Sequence, residues 1–354
     1  MTDAPQPVDD EVLKDLRQRL RAFRAPALPD VQGWGRGTCA GRLGELVVEW
    51  AERFDWRSHE ARIRALPWVR AGGMRVIHQR AADAEAPVVV LLHGWPDSVL
   101  RFERVLPLLT DAHLVVPALP GYPFSSPAQG MATAEMGDAV ARAMADLGYD
   151  RYVVSGGDIG SNVAEALAVR DRDRVAGLHL TDISSARVQA IEPRDLTGDE
   201  HAFVEQMSRW YASEGGYMHQ QSTKPHTLAP ALADSPSGLL AWMLEKLQAW
   251  TDDFETSFTD EEVLTWVTAY WVTNTIGSSF SPYVQPRLAP TRVDVPAVFT
   301  FFPKDLVPAP PRSLVERTFD VHGWDEPSRG GHFGAWEDPT VYAAGVRAAL
   351  GLGA

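Results

Sequence analysis

Ser155-Gly156-Gly157-Asp158-Ile159-Gly160 sets one carboxylate among small residues, between an apolar run and a run of helical character. Arg151-Tyr152-Val153-Val154 reads as a short buried strand, and residues 161–168 read as the helix that follows. Asp158 therefore falls on a sharp strand-to-helix turn of the kind that holds a nucleophile clear of the backbone. Gly156 and Gly160 leave room for such a turn. Ser155 fits it less well, because the branched side chain of Val153 lies two positions before it. An aspartate nucleophile also narrows the chemistry. A serine that opened an epoxide or displaced a halide would form an ether, which water cleaves poorly. An aspartate forms an ester, which an activated water can hydrolyse. Alkyl transfer is favoured over acyl transfer. The plainer alternative is that Asp158 simply caps the next helix.

Other residues supply the remaining parts of that chemistry. His93-Gly94-Trp95-Pro96 directly follows the apolar run 88–92, at a strand's C-terminal end, where ligands collect in open α/β sheets. The backbone N–H groups of Trp95 and Ile159 are candidates for an oxyanion hole. Downstream, Phe302-Pro303-Lys304-Asp305 closes a further apolar run, and Arg329-Gly330-Gly331-His332-Phe333 follows the next. His332 would be the base that activates water, and Asp305 would fix its tautomer and steady the imidazolium. The chain order nucleophile, acid, base resembles that of the α/β-hydrolases. Opening an epoxide also requires a hydrogen-bond donor at the leaving alkoxide, a role phenols fill well. Tyr217 and Tyr283 stand out, although a tyrosine in such a segment is more often a packing residue.

These groups need a scaffold that brings them together. Residues 8–25 carry Val12, Leu13, Leu16, Leu20 and Phe23 at helical spacing, and residues 43–54 form a second helical stretch. Leu66-Pro67-Trp68 introduces the first strands, with residues 74–79 alternating and 88–92 continuously apolar. Residues 99–109, a strand at 114–116, a helix near 133–147, the nucleophile strand and its helix, and a strand at 177–180 then follow in turn. This alternation predicts a mostly parallel sheet with helices on both faces. The pattern stops near Ser184 and returns at 296–302; between them lie helical stretches such as 238–250 and 261–275, rich in Trp and Met. The expected division is an N-terminal region over 1–70, core segments over 71–183 and 291–354, and an inserted helical cap over 184–290. A cap suits an apolar substrate, because it closes a dry site over the sheet edge.

Composition limits the alternatives. The 354 residues can bury one large core, and the 47 acidic against 33 basic residues argue against a nucleic-acid surface. Cys39 is the single thiol, so neither a disulfide framework nor a cysteine metal site is expected, and no cofactor is implied. No stretch approaches the roughly 18 to 20 apolar residues of a membrane span, and Met1-Thr2-Asp3-Ala4 carries acid before any apolar run. The expectation is a soluble cytoplasmic protein. Abundant arginine and alanine suggest a bacterial source with a GC-rich genome.

The ordered motifs resemble the microsomal-type epoxide hydrolases, including juvenile-hormone and fungal members, over nearly the whole chain. They comprise Phe54-Asp55-Trp56-Arg57, Ala65-Leu66-Pro67, His93-Gly94-Trp95-Pro96, Leu119-Pro120-Gly121-Tyr122 and Gly156-Gly157-Asp158-Ile159-Gly160. Gly216-Tyr217-Met218-His219-Gln220, Ser222-Thr223-Lys224-Pro225, Asp234-Ser235-Pro236-Ser237-Gly238-Leu239, Phe302-Pro303-Lys304-Asp305 and Gly330-Gly331-His332-Phe333 continue the series. The resemblance implies an α/β-hydrolase fold with an N-terminal epoxide hydrolase region. It also implies an ether-bond hydrolase with Asp158 as nucleophile, His332 as base, Asp305 as orienting acid, and Tyr217 with Tyr283 holding the epoxide oxygen. The substrate would be a small epoxide, apolar or aryl in view of the Trp- and Met-rich cap, with water as co-substrate. The family includes some dimers, so a homodimer is one expectation. Three departures stand out: the membrane-anchoring helix of the animal enzymes is absent, and Asp97 and Pro123 occupy positions where Gly is common. One rival is a haloalkane dehalogenase, but that family usually places Trp after the nucleophile, where this chain has Ile159. The other is a binding protein on a hydrolase scaffold, which would be expected to have lost part of this set.

Overall fold

The unbroken apolar runs become the centre of one sheet. The structure, a computed structural model, describes residues 3–28, 33–125, 130–284 and 291–352. Eight strands pair in it: β1 (Trp68–Ala71), β2 (Met74–Gln79), β3 (Val88–Leu92), β4 (His113–Pro117), β5 (Tyr152–Gly156), β6 (Val175–Leu180), β7 (Val293–Thr300) and β8 (Phe319–Asp325). Their spatial order is β1-β2-β4-β3-β5-β6-β7-β8. β2 runs antiparallel to β1 and β4, and all other pairings are parallel. Every residue of β3, β4, β5 and β6 is buried. A parallel sheet covered on both faces has no solvent side, which is why these strands read as continuous rather than alternating. The parallel strands put their C-terminal ends on one edge, and the loops carrying Trp95, Asp158 and Asp305 leave from there.

Most expected elements form, with ends set by capping chemistry. The amphipathic N-terminal stretch is helical over Asp10–Arg21, capped by the Asp9 side chain, with Leu13, Leu16 and Leu20 buried. Phe23 lies beyond its end. The helix expected from 238 begins at Pro236, because Ser235 accepts from the N–H of Gly238 and proline suits a first turn. The one expected over 261–275 runs Asp260–Thr273. Thr259 and Glu262 form a capping box at its start, and Asn274 stops it in the left-handed region at φ 51°. Residues 99–109 differ more: they form two 3₁₀ turns, Val99–Phe102 and Leu106–Leu108, with Pro107 in the second. Ser98 accepts from Leu100 and Pro107 has no N–H to donate, so an α-helix cannot run through. β7 starts earlier than expected and ends at Thr300, leaving Phe301 and Phe302 to turn out of the sheet.

Between β6 and β7 every regular element among the described residues is helical. Its longer helices are Gly198–Glu214, Pro236–Ala249 and Asp260–Thr273. No helix among the described residues is long and apolar enough to cross a membrane.

Candidate active site

The turn at Asp158 is strained and heavily braced. Asp158 adopts φ 57° and ψ −127°, a conformation of order 1–3 kcal/mol above the ordinary wells for a residue with a side chain. A Cβ on Gly160 would lie 2.1 Å from the Leu92 carbonyl oxygen, so only glycine lets the new helix approach β3 this closely. The Asp158 N–H donates to Asp182 Oδ2 at 2.5 Å, and Asn162 Nδ2 and Ser161 Oγ donate to the Asp158 carbonyl at 3.0 and 3.2 Å. Ser161 Oγ also donates to Asp182 Oδ1. The Asp158 side chain makes no N-cap bond to the helix it opens, so the capping alternative fails. It turns instead toward β3: Trp95 N–H donates to Asp158 Oδ1 at 2.8 Å, and the Ile159 N–H also bonds the carboxylate.

The Trp95 amide is aimed by its own loop. His93 Nε2 accepts from Leu119 N–H at 3.1 Å, which leaves the ring proton on Nδ1 to donate to Gly94 O at 3.3 Å. Gly94 N–H donates to Asp97 Oδ1 at 2.7 Å, and a Cβ on Gly94 would meet the Asp158 carboxylate at 2.5 Å. Asp97 Oδ2 pairs with the buried Arg101 at 2.6 Å, and Arg101 Nη2 donates to the His332 carbonyl, also at 2.6 Å. Burial works against a charged Asp97, but Arg101 and His93 outweigh it and bring its carboxyl down to about 2. One buried ion pair therefore links the loop after β3 to the loop that carries His332.

His332 is placed between two carboxylates. Its Nδ1 lies 2.7 Å from Asp305 Oδ1 and its Nε2 3.9 Å from Asp158 Oδ2. Its N–H donates to Trp250 O at 2.8 Å, and its ring meets Trp250 edge-on at 5.1 Å. The carboxylate of Glu337 gathers the N–H groups of Gly331, Phe333 and Asp252 at 3.0, 3.0 and 2.8 Å and so holds the loop's shape. Burial disfavours a charged imidazole, but Asp305 by charge and hydrogen bond, with Asp158 behind it, raises the ring to about 9. Burial raises the Asp158 carboxyl, against the pull of His332 and of the Trp95 and Ile159 amides. Asp182 goes up to about 7, through burial and then the nearby charge of Asp305.

Aromatic rings close the site from the helical insertion. Tyr217 stacks on Trp95 with centroids 5.4 Å apart, and Tyr283 meets both rings edge-on at 6.2 and 6.3 Å. Tyr283 Oη is buried with no hydrogen-bond partner among the described residues, as is His332 Nε2. Burial and the charge of Asp158 push the Tyr283 phenol well above its ordinary value, so it stays protonated. Asp158, Ile159, Tyr217, Tyr283 and Asp305 line a pocket enclosing about 910 Å³, its open mouth included, with Phe203, Met207, Trp210, Met218 and Phe301 among the apolar walls. The residues singled out in the sequence are thus brought together, with the Trp95 amide bonded to the Asp158 carboxylate and His332 Nε2 3.9 Å from it.

Comparison with known proteins identifies the family and the fold. Residues 2–102 match the epoxide hydrolase N terminus family and residues 87–261 the alpha/beta hydrolase fold. A Stigmatella aurantiaca protein provisionally named an epoxide hydrolase is 36% identical, over 96% of this chain and 82% of its own length. The chain belongs to the epoxide hydrolase family. Juvenile hormone epoxide hydrolase of Bombyx mori is 30% identical over 97% of this chain and 84% of its own length. The solved Aspergillus niger epoxide hydrolase superposes with a TM-score of 0.87 at 29% identity, covering 99% of this chain and 95% of that one. The fold is the α/β-hydrolase fold expected from the sequence.

Several groups around this candidate site were given no role from the sequence. Asp182 stands two positions after the last residue of β6, and position at a strand's C-terminal end is the signal that could have found it. Asp97 and Arg101 stand at i, i+4 spacing, a pairing signal once the segment is known to turn. Glu337 and Lys246 carry no comparable signal, since a charge beside another charged residue on a helix ordinarily reads as solvated.

Proposed function

We propose that this family member converts an epoxide and water to a vicinal diol through a covalent ester on Asp158. In the first step Asp158 Oδ2 attacks one epoxide carbon, the C–O bond on that carbon breaks, and the alkoxide takes a proton from the Tyr217–Tyr283 pair. Asp158 Oδ1 stays with the Trp95 and Ile159 amides and becomes the ester carbonyl oxygen. The observation that carries this reading is the division of labour at one carboxylate: Oδ1 is held at 2.8 Å by the Trp95 amide while Oδ2 stays 3.9 Å from His332.

Esterification removes the charge of Asp158, one of the supports that keep His332 protonated. The imidazolium then gives up its proton, which returns to the tyrosines by way of solvent, and neutral His332 becomes the base for the second step. It takes a proton from water, and the hydroxide attacks Asp158 Cγ. The two amides hold the resulting oxyanion, and the tetrahedral centre expels the diol oxygen, which takes the proton from His332. Asp305 orients the ring throughout. The apolar walls of the pocket support an apolar or aryl epoxide as substrate. The insertion over 184–290 would act as the cap that excludes water, with residues 1–70 ahead of a core at 71–183 and 291–354. The second junction, at 285–290, lies outside the described residues.

The test is intact-protein mass spectrometry of His332→Gln after mixing with aryl and alkyl epoxides and with matching haloalkanes. An adduct with the mass of the whole epoxide, mapped to the peptide containing Asp158, is expected. An adduct from haloalkanes alone, carrying the alkyl group without halogen, would contradict the proposal.

A further inference from the structure

Lys246 is a buried cation that the two-step scheme leaves unused. It sits in the last turn of the helix Pro236–Ala249 with only 6% of its surface exposed. Its ammonium lies 4.7 Å from the centroid of the Tyr217 ring and 5.7 Å from that of Trp250. Its charge partner is its neighbour Glu245, whose Oε2 is 2.5 Å away on a side chain that is 20% exposed. Burying an ammonium is costly, and an apolar side chain would fill a space between two rings without that cost. Both rings belong to the site: Tyr217 stacks on Trp95, and Trp250 meets His332.

A cation on the face of an aromatic ring is attracted to the ring's electron density, most strongly where water is excluded. That attraction grows as a phenol shares its proton, because negative charge then spreads into the ring. An ammonium on the face of Tyr217 therefore favours the state in which the hydroxyl proton has moved toward the alkoxide over the resting state. It acts where charge develops, as catalytic electrostatics must.

We propose that Lys246 is a positioning residue for epoxide opening, its ammonium held against the face of Tyr217 so that this phenol becomes a stronger hydrogen-bond donor to the departing alkoxide. This rests on the reading of Tyr217 as a donor in the first step. Lys246 takes no part in the proton transfer: the Tyr217 proton goes to the epoxide oxygen as the C–O bond breaks, and nothing bonds to Nζ. The effect falls on ester formation and not on ester hydrolysis, since once Tyr217 has regained its proton the second step uses only His332 and the two amides. Glu245 offsets part of the ammonium's charge, so removing that carboxylate should strengthen the effect.

The experiment is a double-mutant cycle on the full chain. Ester formation and ester hydrolysis are timed separately by rapid quench and intact mass, with an aryl epoxide that alkylates Asp158. Lys246→Met should slow ester formation about tenfold with Tyr217 present and less than twofold in Tyr217→Phe, a loss within the range of a buried cation–ring contact. Lys246→Arg, which keeps a cation, should restore most of the rate, and ester hydrolysis should be unchanged in each. Glu245→Gln, at a more exposed position, should speed ester formation by about twofold or threefold, and it decides the matter if Lys246→Met does not fold. Equal slowing of both steps, equal slowing in both Tyr217 backgrounds, or no acceleration in Glu245→Gln would reduce Lys246 to a packing role. If Tyr217→Phe itself forms ester at the full rate, the donor reading of Tyr217 falls first, and that result is distinct from the others.

Discussion

Replacing Asp158 with Asn should convert His332 from a resting imidazolium into a neutral base, because the variant carries the neutral side chain that the ester would carry. The two groups are 3.9 Å apart. At an effective dielectric constant of about 20, unit charges at that distance attract by roughly 4 kcal/mol, which is about three pH units at about 1.4 kcal/mol each. Asp305, at 2.7 Å and hydrogen-bonded, is the larger support and remains, so the full amount is an upper limit. His332 should therefore titrate at about 6 to 8 in Asp158→Asn, against about 9 in the parent chain. The assay is NMR of the imidazole ¹⁵N resonances across pH, with the protein mass checked for reversion of Asn to Asp by the site's own water activation. The same titration point in both proteins would refute the argument. It would mean that alkylating Asp158 does not release the base.

Further expectations follow from the same contacts. Asp182 has its pKa raised to about 7, so the folded chain holds a proton that the unfolded chain releases near pH 4, and the associated stability is lost as pH rises from about 4 to about 7. Asp182→Asn should therefore gain in thermal midpoint relative to the parent on going from pH 5 to pH 8, and a constant difference would contradict this. Arg101→Met would strand the buried Asp97 carboxylate and should cost about 3–5 kcal/mol in denaturant unfolding. Adding Asp97→Asn should recover most of that loss. Tyr283→Phe should slow ester formation by about 10- to 150-fold, the worth of a hydrogen bond to a charged group of about 1.5–3 kcal/mol, with hydrolysis of the ester unchanged in rapid-quench measurements.

Local chemistry made the core of this site readable in advance. The apolar runs that become β3 and β5 end in short glycine-containing motifs, so the sequence itself puts Trp95 and Asp158 at strand ends. The order of Asp158, Asp305 and His332 pointed to the acid and the base, whereas the roles of Tyr217 and Tyr283 came from the family resemblance. What could not be read lies in contacts between distant parts of the chain. Arg101 and the His332 carbonyl are 231 positions apart, and nothing near either residue announces the other. Lys246 beside Glu245 has the look of a solvated pair until the packing of Tyr217 and Trp250 is known. The segment 99–109 differs for another reason: the strand–helix alternation calls for a helix there, but Ser98 and Pro107 interrupt the hydrogen bonding on which a helix depends. Periodicity reports which side chains are apolar and is silent about missing donors.

In the covalent scheme the first oxygen delivered to the substrate comes from Asp158 and not from water. A single turnover in H₂¹⁸O, with enzyme in excess over an epoxide that labels it, tests this directly. The expected result is a diol containing only ¹⁶O from the added hydroxyl, with ¹⁸O found in the peptide that contains Asp158. A first-turnover diol carrying ¹⁸O, with Asp158 unlabelled, would mean direct attack by water and would contradict the covalent mechanism.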